Sequence, residues 1–232
     1  MNYIWFFWSL ILLGVWVVIF IFLKSKSERK VMLSVSFWTS LLGLTEPLFV
    51  PTYWNPPSLF NLAKNTGFDL ESLIFSFAIG GIAFVLYELI FKTRHQAMTE
   101  EERHLKKHRF HKIALLPAPA LLIVLLVFTK LNPIYSAAIA MVVGGLATWY
   151  CRPDLKQKMI ASAFLFLALY FVYFLILNNL LDPNYMRQVW NLKAISGILW
   201  LGVPLEELMF AFTFGFIWSS AYEHFTWKRI NN

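Results

Sequence analysis

The chain has 232 residues, of which 59% are apolar, 18% aromatic and only 14% charged, with a formal net charge of +7. So few charges cannot cover the surface of a soluble domain, which excludes a water-soluble enzyme or binding module and points to a polytopic membrane protein. Lipid offers no partner to a free backbone group, so the expected fold class is all-α.

In chain order, seven segments are apolar over roughly the 20 residues that a span needs: 4–23, 31–50, 70–91, 112–129, 134–150, 158–178 and 203–225. The first lacks a basic flank and an Ala-x-Ala cleavage site, so it is expected as a retained span and not as a removed signal peptide. Sixteen Lys and Arg fall in the loops on one side of these spans, from Lys24 to Arg229, against Lys64, Lys130, Arg187 and Lys193 on the other. The side with more positive charge belongs in the cytoplasm, which predicts a multi-pass protein of the cell membrane with its amino terminus outside and its carboxyl terminus inside. The net charge of +7 follows from this asymmetry, and no nucleic-acid partner is needed to explain it.

Two stretches about 135 residues apart carry the same pattern. Glu46-Pro47, Trp54-Asn55 and Gly67-Phe68-Asp69-Leu70-Glu71 return at closely similar spacing as Asp182-Pro183, Trp190-Asn191 and Gly202-Val203-Pro204-Leu205-Glu206. The match runs on without a gap, so that Phe75, Gly80, Tyr87 and Glu88 recur as Phe210, Gly215, Tyr222 and Glu223. This predicts two three-helix repeats, residues 1–91 and 131–232, joined by 92–130, a cytoplasmic loop and connector helix. An odd connector gives both repeats the same orientation, hence parallel repeats. Pro117 and Pro119, and the lack of any acid in the fourth span, suit a connector helix.

The polar stretch 92–112 reads as a short surface helix through Glu100, Glu101, Glu102, His104, Lys106, Lys107, His108 and His111. The spacing of His104, His108 and His111 is compatible with a metal, yet a solvated charged linker accounts for the same residues, and no metal is expected. Cys151 stands alone, which excludes an internal disulfide and a Cys-based cluster.

The acids carry the chemistry that the pattern suggests. Glu46, Glu71, Asp182, Glu206 and Glu207 all fall near the outer ends of spans, and acids in a membrane usually face the protein interior. Desolvation disfavours the anion, so an acid in such a place can keep a proton and deliver it. Asp69 before Glu71, and Pro204 before Glu206 and Glu207, are also ordinary helix starts, but the duplication beside Trp-Asn favours a site. Glu88 and Glu223 lie 17 residues further along their helices, about 25 Å at 1.5 Å per residue, and read as structural. Only three aspartates occur, Asp69, Asp154 and Asp182, so no Asp-rich cluster exists to hold magnesium and a diphosphate, and no Gly-rich dinucleotide fingerprint is evident. Protonatable acids among aromatics suit proton-initiated carbocation chemistry on a hydrocarbon.

Gly202-Val203-Pro204-Leu205-Glu206-Glu207-Leu208-Met209-Phe210, preceded by Trp190-Asn191 and repeated in weaker form, resembles the integral-membrane lycopene cyclases, known as two subunits, as a fused chain, or as one domain of a fungal bifunctional enzyme. The resemblance implies an isomerase of carotenoid biosynthesis, an intramolecular lyase that protonates a terminal double bond, closes a six-membered ring and removes a proton without net redox or cofactor. It makes Glu206, Glu207 and Glu71 the catalytic candidates, Glu46 and Asp182 the supporting acids, and Trp54, Asn55, Phe75, Trp190, Asn191 and Phe210 the substrate contacts. The first copy has Asp69 for Pro204 and Ser72 for Glu207. The expected partners are a hydrophobic isoprenoid within the bilayer and, in an oligomer, further copies. Hydration of the same cation, cyclisation of another isoprenoid, or a small proton-coupled transporter are the alternative readings.

Overall fold

The computed structural model describes residues 3–104, 108 and 111–231. Helix α1 (Ile4–Phe22) is followed by α2 (Lys26–Ser40), which tightens into a 3-10 helix over Leu41–Leu48. Pro47 lies in that stretch, and proline has no N–H to continue an α-helical ladder. Next come α3 (Leu62–Thr66), α4 (Leu70–Phe91), strand β1 (Arg94–Ala97) and α5 (Glu100–Arg103). Helices α6 (Pro117–Phe128), α7 (Pro133–Cys151) and α8 (Lys156–Ile176) follow, the last ending in a π turn over Leu177–Leu181. Then α9 (Tyr185–Val189), the short strands β2 (Leu199–Trp200) and β3 (Val203–Pro204), α10 (Leu205–Trp218), α11 (Ala221–Thr226) and β4 (Lys228–Asn231) complete the chain order.

The chain is therefore largely helical, and among the described residues five helical runs are long and apolar enough to cross a membrane: Ile4–Phe22, Lys26–Leu48, Leu70–Phe91, Pro133–Cys151 and Pro153–Leu181. Two of the seven expected segments are shorter as helices. The fourth forms 12 residues from Pro117, because proline in a first turn starts a helix there and disfavours one before it. The last is divided into α10 and α11 by a turn at Ser219 and Ser220. Among the described residues of the 92–112 stretch, the α-helix is α5, capped reciprocally by Thr99 and Glu102. The residues before it pair instead with the C-terminal segment, with β1 antiparallel to β4 and Ala97 opposite Lys228. Lys106 and Lys107 lie outside the described residues.

Two compact units divide the chain, Met1–Ile82 with Leu169–Leu208, and Ala83–Ala168 with Met209–Asn232. The first unit packs α1, α2 and α4 through small residues. A Cβ on Gly80 would lie 2.2 Å from Thr39 Oγ1, and one on Gly81 would lie 2.2 Å from Ser36 Oγ and 2.4 Å from Trp16 Nε1. With no hydrophobic drive between helices in lipid, such close approach supplies the packing, and it lets the Trp16 indole donate to Ser36 Oγ at 2.8 Å.

The second unit is organised around buried charge. Lys158, in the first turn of α8, donates to Glu223 at 2.6 Å and to Glu88, and both carboxylates are closed off from solvent. His95 Nε2 lies 2.6 Å from Glu223 and 3.4 Å from Glu88. Two acids and two bases make the cluster neutral only when His95 is protonated. Burial opposes that charge, but the Glu223 and Glu88 carboxylates outweigh it and hold the imidazole up at about 9. Next to it, buried Arg152 is gripped by Asp154 at 2.7 and 2.9 Å and donates to the Glu223 and Lys228 carbonyls at 3.1 and 2.6 Å. Glu88 and Glu223, the counterparts in the two sequence copies, thus meet across one lysine.

Candidate active site

In the first unit the two Trp-Asn dipeptides find each other. Trp54 and Trp190 form an isolated antiparallel bridge, with Asn55 N–H donating to the Val189 carbonyl and Asn191 N–H to the Tyr53 carbonyl, each at 2.9 Å. The exchange is reciprocal, and it sets the two indoles 5.2 Å apart. Both asparagine side chains are exposed; Asn191 Nδ2 reaches the Thr52 carbonyl at 3.2 Å. Their contribution is to the pairing of the loops.

Behind this bridge lies Glu207, in the first turn of α10 and 5% exposed. Its Oε1 accepts from the Tyr53 hydroxyl at 2.5 Å and from the Trp190 indole at 2.8 Å, while Oε2 is 2.7 Å from the Tyr170 hydroxyl. An indole N–H only donates, whereas a phenol can donate or accept. Trp190 therefore marks Oε1 as an acceptor, and the Oε2 to Tyr170 contact can be made with the proton on either oxygen. The Tyr53 phenol, in the loop before α3, resists ionisation strongly, through burial and the neighbouring Glu207.

The neighbouring acids are held differently. Glu206 Oε1 accepts the Ser196 N–H at 2.9 Å, and Glu71 Oε1 accepts the Leu59 N–H at 2.6 Å. The equivalent glutamates of the two copies thus perform one task, fastening the preceding loop to the start of a helix. Both are buried, as are Glu46 and Asp69. Glu46 is close enough to Asp69 and Glu71 for their charges to repel, and it neighbours Ser72 and Trp54. Asp69 caps α4 by accepting the Ser72 N–H at 2.5 Å, and its carboxyl is held above the ordinary value by burial, against the opposing hydrogen bond. Asp182 is half-buried and accepts the Trp8 indole N–H at 2.8 Å.

Aromatic side chains complete the surroundings. Trp5 packs edge-on against Trp54 at 4.6 Å and against Phe75 at 5.1 Å, Phe75 approaches Tyr170 at 6.2 Å, and Phe174 meets Trp190 at 6.0 Å. The Trp5 indole N–H is buried and has no hydrogen-bond partner among the described residues. Of the residues expected to contact substrate, Trp54, Phe75 and Trp190 thus gather in this unit. Phe210 belongs to the other unit, stacked on Phe214 at 5.4 Å. The sequence pattern does not single out Tyr53, Tyr170, Trp5 or Trp8. The first had one available signal, its place directly before the repeated Trp-Asn.

The arrangement offers a carboxyl hydrogen-bonded to two phenols and an indole, within a region of aromatic faces that can favour a passing cation. Among known proteins, the lycopene cyclase family model matches residues 132–225, about 40% of the chain, a segment that contains Tyr170, Trp190, Glu206 and Glu207. No curated protein and no solved structure matches.

Proposed function

We propose that the protein is a membrane cyclase for a linear carotenoid end, lycopene being the reference substrate, and that Glu207 transfers the proton. The observation that carries this reading is the triple hold on Glu207 by Tyr53, Tyr170 and Trp190 among aromatic rings; the partial family match agrees with it.

In the proposed reaction the Glu207 carboxyl gives its proton to the terminal carbon–carbon double bond. The resulting cation is attacked by an internal double bond of the same chain, which closes the ring and moves the charge into it. Loss of a ring proton to a carboxylate forms the new double bond, so composition and oxidation state are unchanged. Trp54, Trp190 and Phe75 line the cation's path in this scheme, Glu206 and Glu71 hold the loops, Asp182 orients Trp8, and Glu46 is a supporting acid near the end of the second span. The same reading keeps seven spans, parallel repeats at 1–91 and 131–232, and an external amino terminus. Reciprocal pairing of Trp54 with Trp190, and the matching bonds of Glu71 and Glu206, support the repeat.

The test is product chromatography from a lycopene-accumulating cell. One-ring or two-ring products are expected from the unaltered chain and unchanged lycopene from Glu207→Gln. A membrane-inserted, monodisperse protein that leaves lycopene untouched refutes the proposal, and a hydroxylated linear product replaces it with hydration of the same cation.

A further inference from the structure

The second unit contains a group of side chains that the cyclase reading does not use. His108, His111 and Cys151 are each buried to within a few per cent of complete, and one ligand atom from each lies within 4.8 Å of the others. Cys151 Sγ is 3.5 Å from His111 Nδ1 and 3.8 Å from His108 Nδ1. Tetrahedral zinc, with Zn–S about 2.3 Å and Zn–N about 2.0 Å, sets its sulfur and nitrogen ligands about 3.5 Å apart. The His111 separation equals that value, and the His108 separation exceeds it by about 0.3 Å.

The rings are held for the purpose. His111 lies between two parallel neighbours, Trp227 at 3.6 Å and His224 at 4.2 Å. His224 Nε2 contacts the His111 carbonyl at 3.3 Å, and its Nδ1, fully buried, has no partner among the described residues. The nearby Arg152 charge is taken up by Asp154. His104, which the histidine spacing had grouped with these residues, instead contacts the Glu100 carbonyl through Nδ1 at 2.7 Å. The third ligand position belongs to Cys151, 40 residues from His111.

We propose that His108, His111 and Cys151 form a metal site of the thiolate and imidazole class suited to Zn(II). Two neutral imidazoles and a thiolate match a borderline-soft cation better than magnesium or calcium, which prefer oxygen. Cys151 loses its proton to solvent on binding, and a water completes the four-coordinate shell. The ion ties His108 and His111 to Cys151 at the end of α7, and His224 acts as a positioning residue through its hold on His111.

The site is tested on tag-free full-length protein in detergent, loaded with Zn(II) or Co(II) alone and freed of excess metal. About one equivalent of zinc per chain is expected, and the cobalt form is expected to show a thiolate-to-metal charge-transfer band with the visible bands of a tetrahedral ion. Cys151→Ser is expected to abolish the charge-transfer band, and His224→Ala to weaken binding by about 10- to 100-fold. Zinc should also shield Cys151 from a maleimide in the unaltered protein, a readout that needs no variant to fold. Negligible bound metal, or a thiol equally reactive with and without zinc, overturns the proposal and leaves a buried thiol–imidazole hydrogen-bond cluster.

Discussion

Glu207 and Glu206 are adjacent in sequence but differ in partners. Three side-chain groups converge on Glu207, and a backbone N–H on Glu206. Neighbouring residues on a helix do not face each other, so one acid can sit among Tyr53, Tyr170 and Trp190 while the next fastens a loop. Glu207→Gln is expected to remove ring formation in the lycopene host. Tyr170→Phe deletes a hydrogen bond to an ionisable group, worth about 1.5 to 3 kcal/mol. It is expected to lower turnover about 10- to 100-fold while product identity, read by chromatography, stays the same. Asn55→Ala, at an exposed side chain, is expected to stay within a few-fold of the unaltered chain.

At the scale of elements, α2 and α4 approach so closely because Gly80 and Gly81 face Thr39 and Ser36. Gly81→Val forces the Trp16 indole away from Ser36, an overpacking that typically costs about 1 to 3 kcal/mol. Its expected outcome is a lower thermal midpoint in detergent, with Ser36→Gly in the same chain recovering part of the loss. Strand β1 supplies the second element-scale prediction through His95, which faces Glu88 from α4, Glu223 from α11, Lys158 from α8 and the Tyr222 ring. Its folded value of about 9 stands above the ordinary 6.5. A group raised on folding stabilises fully below its unfolded value and loses that contribution as pH rises through the folded one. The midpoint advantage of the unaltered chain over His95→Gln is therefore expected to shrink from about pH 6.5 and to vanish above the folded value.

Within the second unit, Lys158, Glu88, Glu223 and His95 form a buried charge cluster, and breaking it should be costly. Removing one partner of a buried ion pair typically costs about 3 to 5 kcal/mol, because it leaves charge buried without compensation. Lys158→Met leaves Glu88 and Glu223 sharing His95 with one positive charge too few. It is expected to lower the thermal midpoint more than Gly81→Val does, with the double change Glu88→Gln and Lys158→Met recovering much of the loss.

Composition alone determined that this chain is helical and built for lipid, since no other backbone arrangement of so apolar a sequence satisfies its own hydrogen bonds except a closed barrel, and the apolar runs have helical length. Duplication marked the Trp-Asn segments and the glutamates after them, because two copies of one motif can be compared within one chain. Only the tertiary structure decided the partners. Tyr53 reaches Glu207 across 154 residues, Lys158 reaches Glu88 across 70, and Cys151 meets His108 across 43. Hydropathy records which segments prefer lipid, and spacing records which residues share a helix face. Neither records which side chains from distant helices converge, because that depends on how close glycines let the helices come and where their loops pair.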